Sequence, residues 1–131
     1  MAKRILIVDD SALSRKRFLA KPLSGAGFEV VEASNGQEGL ETWEASRSDD
    51  ERPFDCIITD LLMRVMDGFQ LLEELNERGC EVPVLVASAD IQESSRKKIE
   101  SSGARGFINK PYTSDVLLET VNQVLDIVSK G

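Results

Sequence analysis

Four polar positions in this chain are of types that do chemistry, and each closes a short apolar run. Asp9-Asp10 follows Ile5–Val8, Asp60 follows Cys56–Thr59, Ser88 follows Val84–Ala87, and Lys110-Pro111 follows Gly106–Asn109. Taken singly, each has a plain structural role: Asp10 or Ser11 can cap a helix, Asp60 can begin a turn, Ser88 can be a loop hydroxyl and Lys110 can be solvated. Brought to one crevice they have another use. Three crowded carboxylates repel each other unless a cation is present. A hard divalent ion, most naturally Mg²⁺ with Mn²⁺ as a substitute, suits carboxylates, a carbonyl and waters while leaving room for a phosphate oxygen. With Lys110 as a second positive charge and Ser88 as a donor, these are the parts of a phosphoryl-transfer site built on a nucleophilic carboxylate.

The elements that would bring them together are legible as alternation. Short apolar runs at Arg4–Val8, Glu29–Glu32, Asp55–Thr59, Val84–Ala87 and Gly106–Ile108 read as strands. Several are continuous Ile/Leu/Val stretches, as expected for strands covered on both faces. Amphipathic stretches at Ser11–Ser24, Gly36–Arg47, Asp67–Arg78, Ile91–Ser102 and Ser114–Ser129 read as helices. Five strand-helix units predict an α/β fold with a parallel sheet. Right-handed crossovers then place all strand C-termini along one edge, where the ligand crevice opens. Asn35-Gly36, Gly79, Gly103 and Thr113/Ser114 punctuate the helices. Pro22 falls inside the first helical pattern and predicts a kink or early end. The acid- and Arg-rich stretch Ser46–Pro53 predicts a mobile loop.

Composition removes whole classes of function. In 131 residues there are 16 Lys and Arg against 23 Asp and Glu, a net charge of −7, and no histidine. Histidine-based zinc sites, His general bases and Ser-His-Asp triads are excluded. The acidic balance argues against direct binding of nucleic acid or an anionic membrane. Cys56 and Cys80 have no CxxC or metal-ligand spacing. No apolar run approaches the ~18 residues of a membrane span. The start of the chain has no signal-peptide core, and a cytoplasmic protein with a single domain over residues 1–131 is expected.

Five segments carry a family resemblance. They are Ile-Leu-Ile-Val-Asp-Asp-Ser (5–11), Glu-Ala-Ser-Asn-Gly-Gln-Glu-Gly-Leu (32–40), Thr-Asp-Leu-Leu-Met (59–63) with Asp67-Gly68, Val-Ala-Ser-Ala (86–89), and Gly-Ala-Arg-Gly-Phe-Ile-Asn-Lys-Pro (103–111). In order and at the right strand ends, they resemble the receiver domain of two-component response regulators, in its stand-alone chemotaxis-regulator form. The resemblance implies a flavodoxin-like, doubly wound (βα)5 sandwich with sheet order 2-1-3-4-5.

It also implies roles. Asp60 would accept a phosphoryl group from a sensor histidine kinase or a histidine phosphotransfer protein. Mg²⁺ would be held by Asp10 directly, by Asp9 mainly through water, and by Asp60 and the Leu62 carbonyl. Lys110 and Ser88 would contact phosphoryl oxygens, and Phe107 would swing inward as Ser88 moves. That motion would remodel the face of the fourth helix, fifth strand and fifth helix for a downstream target, with Ile91, Arg96, Phe107 and Tyr112 on the partner surface. The Lys110-Pro111 bond would be cis. Without the family, Phe107 reads simply as a core residue of a strand.

Two departures and several alternatives accompany this reading. Arg64 stands where the family usually has proline. Leu62 and Asp90 occupy the mouth positions that help set how fast water hydrolyses the acyl phosphate. The fourth helix has few apolar positions and is expected to pack loosely. In the fifth helix Val116, Leu117, Leu118, Val121, Val124, Leu125, Ile127 and Val128 exceed one stripe, which predicts an exposed partner or homodimer face. A haloacid-dehalogenase-type phosphatase would need Asp-x-Asp where this chain has adjacent acids, and a flavin phosphate would be repelled by them. A phosphorylation-independent scaffold and a phosphorelay shuttle remain as rivals.

Overall fold

The computed structural model describes residues 2–48, 52–89 and 93–130. Five strands form one parallel sheet: β1 (Arg4–Val8), β2 (Glu29–Ala33), β3 (Cys56–Thr59), β4 (Val84–Ser88) and β5 (Gly106–Asn109). Their order is β2-β1-β3-β4-β5, the expected one. Period-two alternation along β1 divides the core between the two faces. Leu6 and Val8 face a cluster containing Leu40, Trp43, Leu71, Leu75 and Ile99. Ile5 and Ile7 face another, with Leu19, Leu23, Leu117, Val121 and Val124.

The helices between the strands are α1 (π-helical Ser14–Ala20 running into α-helical Lys21–Gly25), α2 (Gly36–Ala45), α3 (Gly68–Glu77), α4 (Glu93–Ser101) and α5 (Ser114–Lys130). The Ser11 hydroxyl accepts the Ser14 N–H at 3.2 Å and caps α1. The expected break at Pro22 takes a different form. A proline lacks the N–H its turn needs and crowds the carbonyl four residues back. The turn widens ahead of it, Lys21 N–H bonding the Lys16 carbonyl five residues back, and the helix continues to Gly25. Asn35 caps α2, and Asp67 with Gln70 forms a capping box on α3.

Of the stretch expected to be mobile, the described ends are tied down. Ser46 is buried, with its hydroxyl donating to the Trp43 carbonyl at 2.6 Å. Arg52 pairs with Glu29. The α5 surplus also shrinks: Leu117, Val121 and Val124 are core, Leu118 and Leu125 pack against it, and Val116 is exposed. The side chains of Ile127 and Val128 lie outside the described residues. In α4, Ile99 is buried, while the cations cover aromatic rings: Arg96 lies 5.0 Å from the Phe107 centroid and Lys98 4.1 Å from that of Phe69.

Candidate phosphoryl-acceptor site

The sheet ladder runs one residue past the strand ends, and those extra residues carry the chemistry. Asp9 N–H bonds the Ala33 carbonyl at 3.2 Å, Asp60 N–H that of Val8 at 3.1 Å, and Lys110 N–H that of Ser88 at 3.0 Å. Three functional backbones are thus fixed by the same register that pairs Val8 with Thr59 and Ser88 with Asn109. Their side chains converge. Lys110 Nζ lies 2.9 Å from Asp9 Oδ2 and 2.9 Å from Asp60 Oδ2.

This cluster is largely out of water: Asp9 is 1% exposed, Asp60 12% and Lys110 19% at the side chain. Burial works against the Lys110 charge, but the bonds to Asp60 and Asp9 prevail and hold its pKa above the usual lysine value. The remaining carboxylate oxygens are anchored by backbone. Asp60 Oδ1 accepts the Leu61 N–H at 2.6 Å, and Asp9 Oδ1 accepts the Ser11 N–H at 2.9 Å. One ammonium faces two carboxylates, so the cluster keeps one net negative charge.

Ser88 is buried at the end of β4. Asp10 is exposed, as is Leu62. Phe107 is half-buried under Arg96. The Lys110–Pro111 bond is cis. Ile91 and Asp90 lie outside the described residues. The three-carboxylate crowd expected from sequence is two carboxylates with a lysine between them. Among the described residues no three His, Cys, Asp or Glu side chains come close enough together to hold an ion.

Two supports were not singled out from sequence. Arg15 donates to the Asp9 carbonyl at 2.7 Å and to Glu32 at 2.9 Å, tying α1 to the ends of β1 and β2. Its signal, an arginine four residues after the Ser11 cap, is too common to stand out. Gly68 is the other. A Cβ there would lie 2.3 Å from the Asp60 carbonyl oxygen and 2.8 Å from the Leu61 Cα. We expect Gly68→Ala to cost about 3 kcal/mol, the upper range for overpacking, because the obstacle is backbone. Gly25→Ala meets nothing within 4 Å and is the control. Paired thermal unfolding curves check this, and equal midpoints would contradict it.

The loop after β3 departs locally from common geometry. Val65 has φ 70°, and the Met66 N–H bonds the Arg64 carbonyl at 2.8 Å, a γ-turn closed around a β-branched residue. Arg64 is an exposed cation there.

A parallel sheet of this order with an acid at the end of β1, an acid at the end of β3 and a lysine at the end of β5 defines a class. The family model for the response regulator receiver domain matches residues 5–122, and the chain belongs to that family, a component of two-component signalling. Among individual relatives, it is 36% identical over 127 residues to the chemotaxis protein CheY of Bacillus subtilis, covering 96% of this chain and 100% of that protein. It is 32% identical over 124 residues to PilH of Pseudomonas aeruginosa, covering 93% and 97%. Among solved structures, a CheY-like receiver domain protein of Methanospirillum hungatei superposes with a TM-score of 0.86 at 28% identity, covering 99% of this chain and 98% of that one.

Proposed function

We propose that this chain is a stand-alone response regulator that accepts a phosphoryl group on Asp60 from a phosphohistidine of a partner kinase or phosphotransfer protein. The observation that carries this is the Asp9–Lys110–Asp60 cluster at the sheet edge. The chain has no histidine of its own to carry a donor phosphoryl group.

The Asp60 carboxylate attacks phosphorus, the P–N bond to the donor imidazole breaks, and an acyl phosphate forms on Asp60. Asp9 and Asp60 are hard oxygen donors in a cluster of net negative charge, and with Asp10 and the Leu62 carbonyl on the neighbouring strand ends they would hold Mg²⁺. When bound, the ion supplies positive charge for the transferring phosphoryl oxygens. Lys110, already charged, follows the phosphoryl oxygens, and Ser88 donates to one of them. The Leu61 N–H keeps the carboxylate oriented.

Phosphorylation is read through a shift between two packings. Phe107 moves inward as Ser88 turns toward the phosphoryl group, and Arg96 loses the ring it covers. The surface so changed, with Tyr112 beside it, meets the downstream target protein. Incubation with acetyl phosphate followed by intact-mass spectrometry tests the acceptor reading. One phosphoryl group per chain is expected with Mg²⁺, and none with EDTA; uptake that ignores EDTA would contradict the metal-assisted reading.

Leu62 is 64% exposed beside the acceptor. An apolar side chain there obstructs the approach of water to the acyl phosphate. Leu62→Asn is therefore expected to lose its phosphoryl group several-fold faster. Equal or slower loss in a dephosphorylation time course would contradict this role.

A further inference from the structure

A cleft of about 340 Å³ opens between α1 and the segment joining β5 to α5. Leu13, Phe18, Ala89 and Pro111 give it apolar walls. Ser14 and Tyr112 also line it, and the hydroxyl of each is buried with no hydrogen-bond partner among the described residues. Ser14 is itself 9% exposed.

A buried hydroxyl without a partner is destabilising, and native structures rarely keep one without a use. Two in the lining of one cleft, on facing walls, are harder to ascribe to the fold. Ser14 could have bonded back to a carbonyl one turn earlier, as helical serines commonly do. Instead it opens the π-helical stretch, a geometry found often at functional sites. The Tyr112 phenol, kept protonated by burial and by the nearby Asp9 and Asp60, presents a donor.

Charge narrows the ligand. The cation on the cleft wall, Lys110, is engaged by both Asp9 and Asp60. The net negative charge of that cluster disfavours an anion. Size and lining match small-molecule sites, which are mostly apolar with a few placed polar groups.

We propose that this cleft binds a neutral, ring-bearing small molecule whose carbonyl or hydroxyl oxygen takes the hydrogen bonds of Tyr112 and Ser14. Because Lys110 lines the cleft and reaches Asp60, occupancy modulates phosphoryl uptake; this second part rests on the acceptor reading of Asp60.

The test is a backbone-amide NMR titration of the whole chain with benzamide, with benzoate as the charged analogue and toluene as the analogue without a polar group. Benzamide is expected to give saturable shifts at Ser14, Phe18 and Tyr112. Benzoate and toluene should bind at least ten-fold more weakly, and Tyr112→Phe should weaken benzamide several-fold. The same variant should match or exceed the wild-type thermal midpoint, since it deletes a hydroxyl with no partner. No saturable benzamide shift, equal binding of the three probes, unchanged affinity in Tyr112→Phe, or a lowered midpoint in that variant would each overturn the site. Phosphoryl uptake from acetyl phosphate is then timed with and without saturating benzamide. A changed rate supports the coupling and an unchanged rate overturns it. Absence of uptake in both arms would instead count against the acceptor reading and leave the binding result standing.

Discussion

Lys110→Met should lose stability and phosphoryl uptake together, for one electrostatic reason. Lys110 is the cation shared by Asp9, almost wholly buried, and Asp60. Removing one partner from a buried ion cluster leaves uncompensated charge and costs about 3–5 kcal/mol. The loss should appear as a lower denaturant midpoint at pH 7 with an unchanged slope. Mg²⁺ should restore part of it, because a divalent ion can take the place of the ammonium between the carboxylates. Phosphoryl uptake should fall about 100-fold, the usual effect of deleting one aimed positive donor. A variant as stable as wild type, or one indifferent to Mg²⁺, would contradict the cluster's role.

Alkaline solution should destabilise the protein through the other end of β3. Cys56 is fully buried in β3, and burial, with Asp55 adding to it, pushes its thiol up to about 12. In the unfolded chain that thiol ionises near pH 8.5. Between these values the folded state holds the extra proton, so stability is intact below about pH 8.5 and falls as pH rises toward 12. The gap of about 3.5 pH units is worth roughly 5 kcal/mol, of which about 2 should be lost between pH 9 and 10.5. Lys110 and Tyr112, both raised, act in the same direction at still higher pH. Denaturant midpoints at pH 8, 9 and 10.5 for wild type and Cys56→Ala separate the contributions. The wild type should fall more steeply, and parallel curves would contradict the buried-thiol origin.

Much of this architecture was legible because it rests on local chemistry. Continuous apolar runs announced doubly covered strands, and Asn35, Gly79, Gly103 and Thr113 marked helix ends where the structure has caps or left-handed turns. The positions of Asp9, Asp60 and Lys110 followed from topology alone, since a parallel sheet must gather its strand ends. What escaped depended on packing between distant segments. That Lys110 bridges Asp9 and Asp60 while Asp10 stays exposed is set by side-chain reach across about a hundred residues of chain, which no periodicity encodes. The π-helical response to Pro22 was hidden because a helix can absorb a proline by widening as readily as by ending. The split of the α5 surplus into core (Leu117, Val121, Val124), partly covered (Leu118, Leu125) and exposed (Val116) positions was not legible, because it depends on how far neighbouring elements wrap a helix. Gly68 stood in a quoted motif, but its need for a bare Cα became visible only when the Asp60 carbonyl was found 2.3 Å from where a Cβ would be.

The most direct test of the acceptor assignment is intact-mass spectrometry of wild type and Asp60→Asn after equal exposure to acetyl phosphate and Mg²⁺. The substitution retains the shape and the oxygen that accepts the Leu61 N–H while removing the nucleophilic charge. A gain of one phosphoryl group by wild type and none by Asp60→Asn is the predicted result. Equal gain by both proteins would place the phosphoryl group elsewhere and contradict the account.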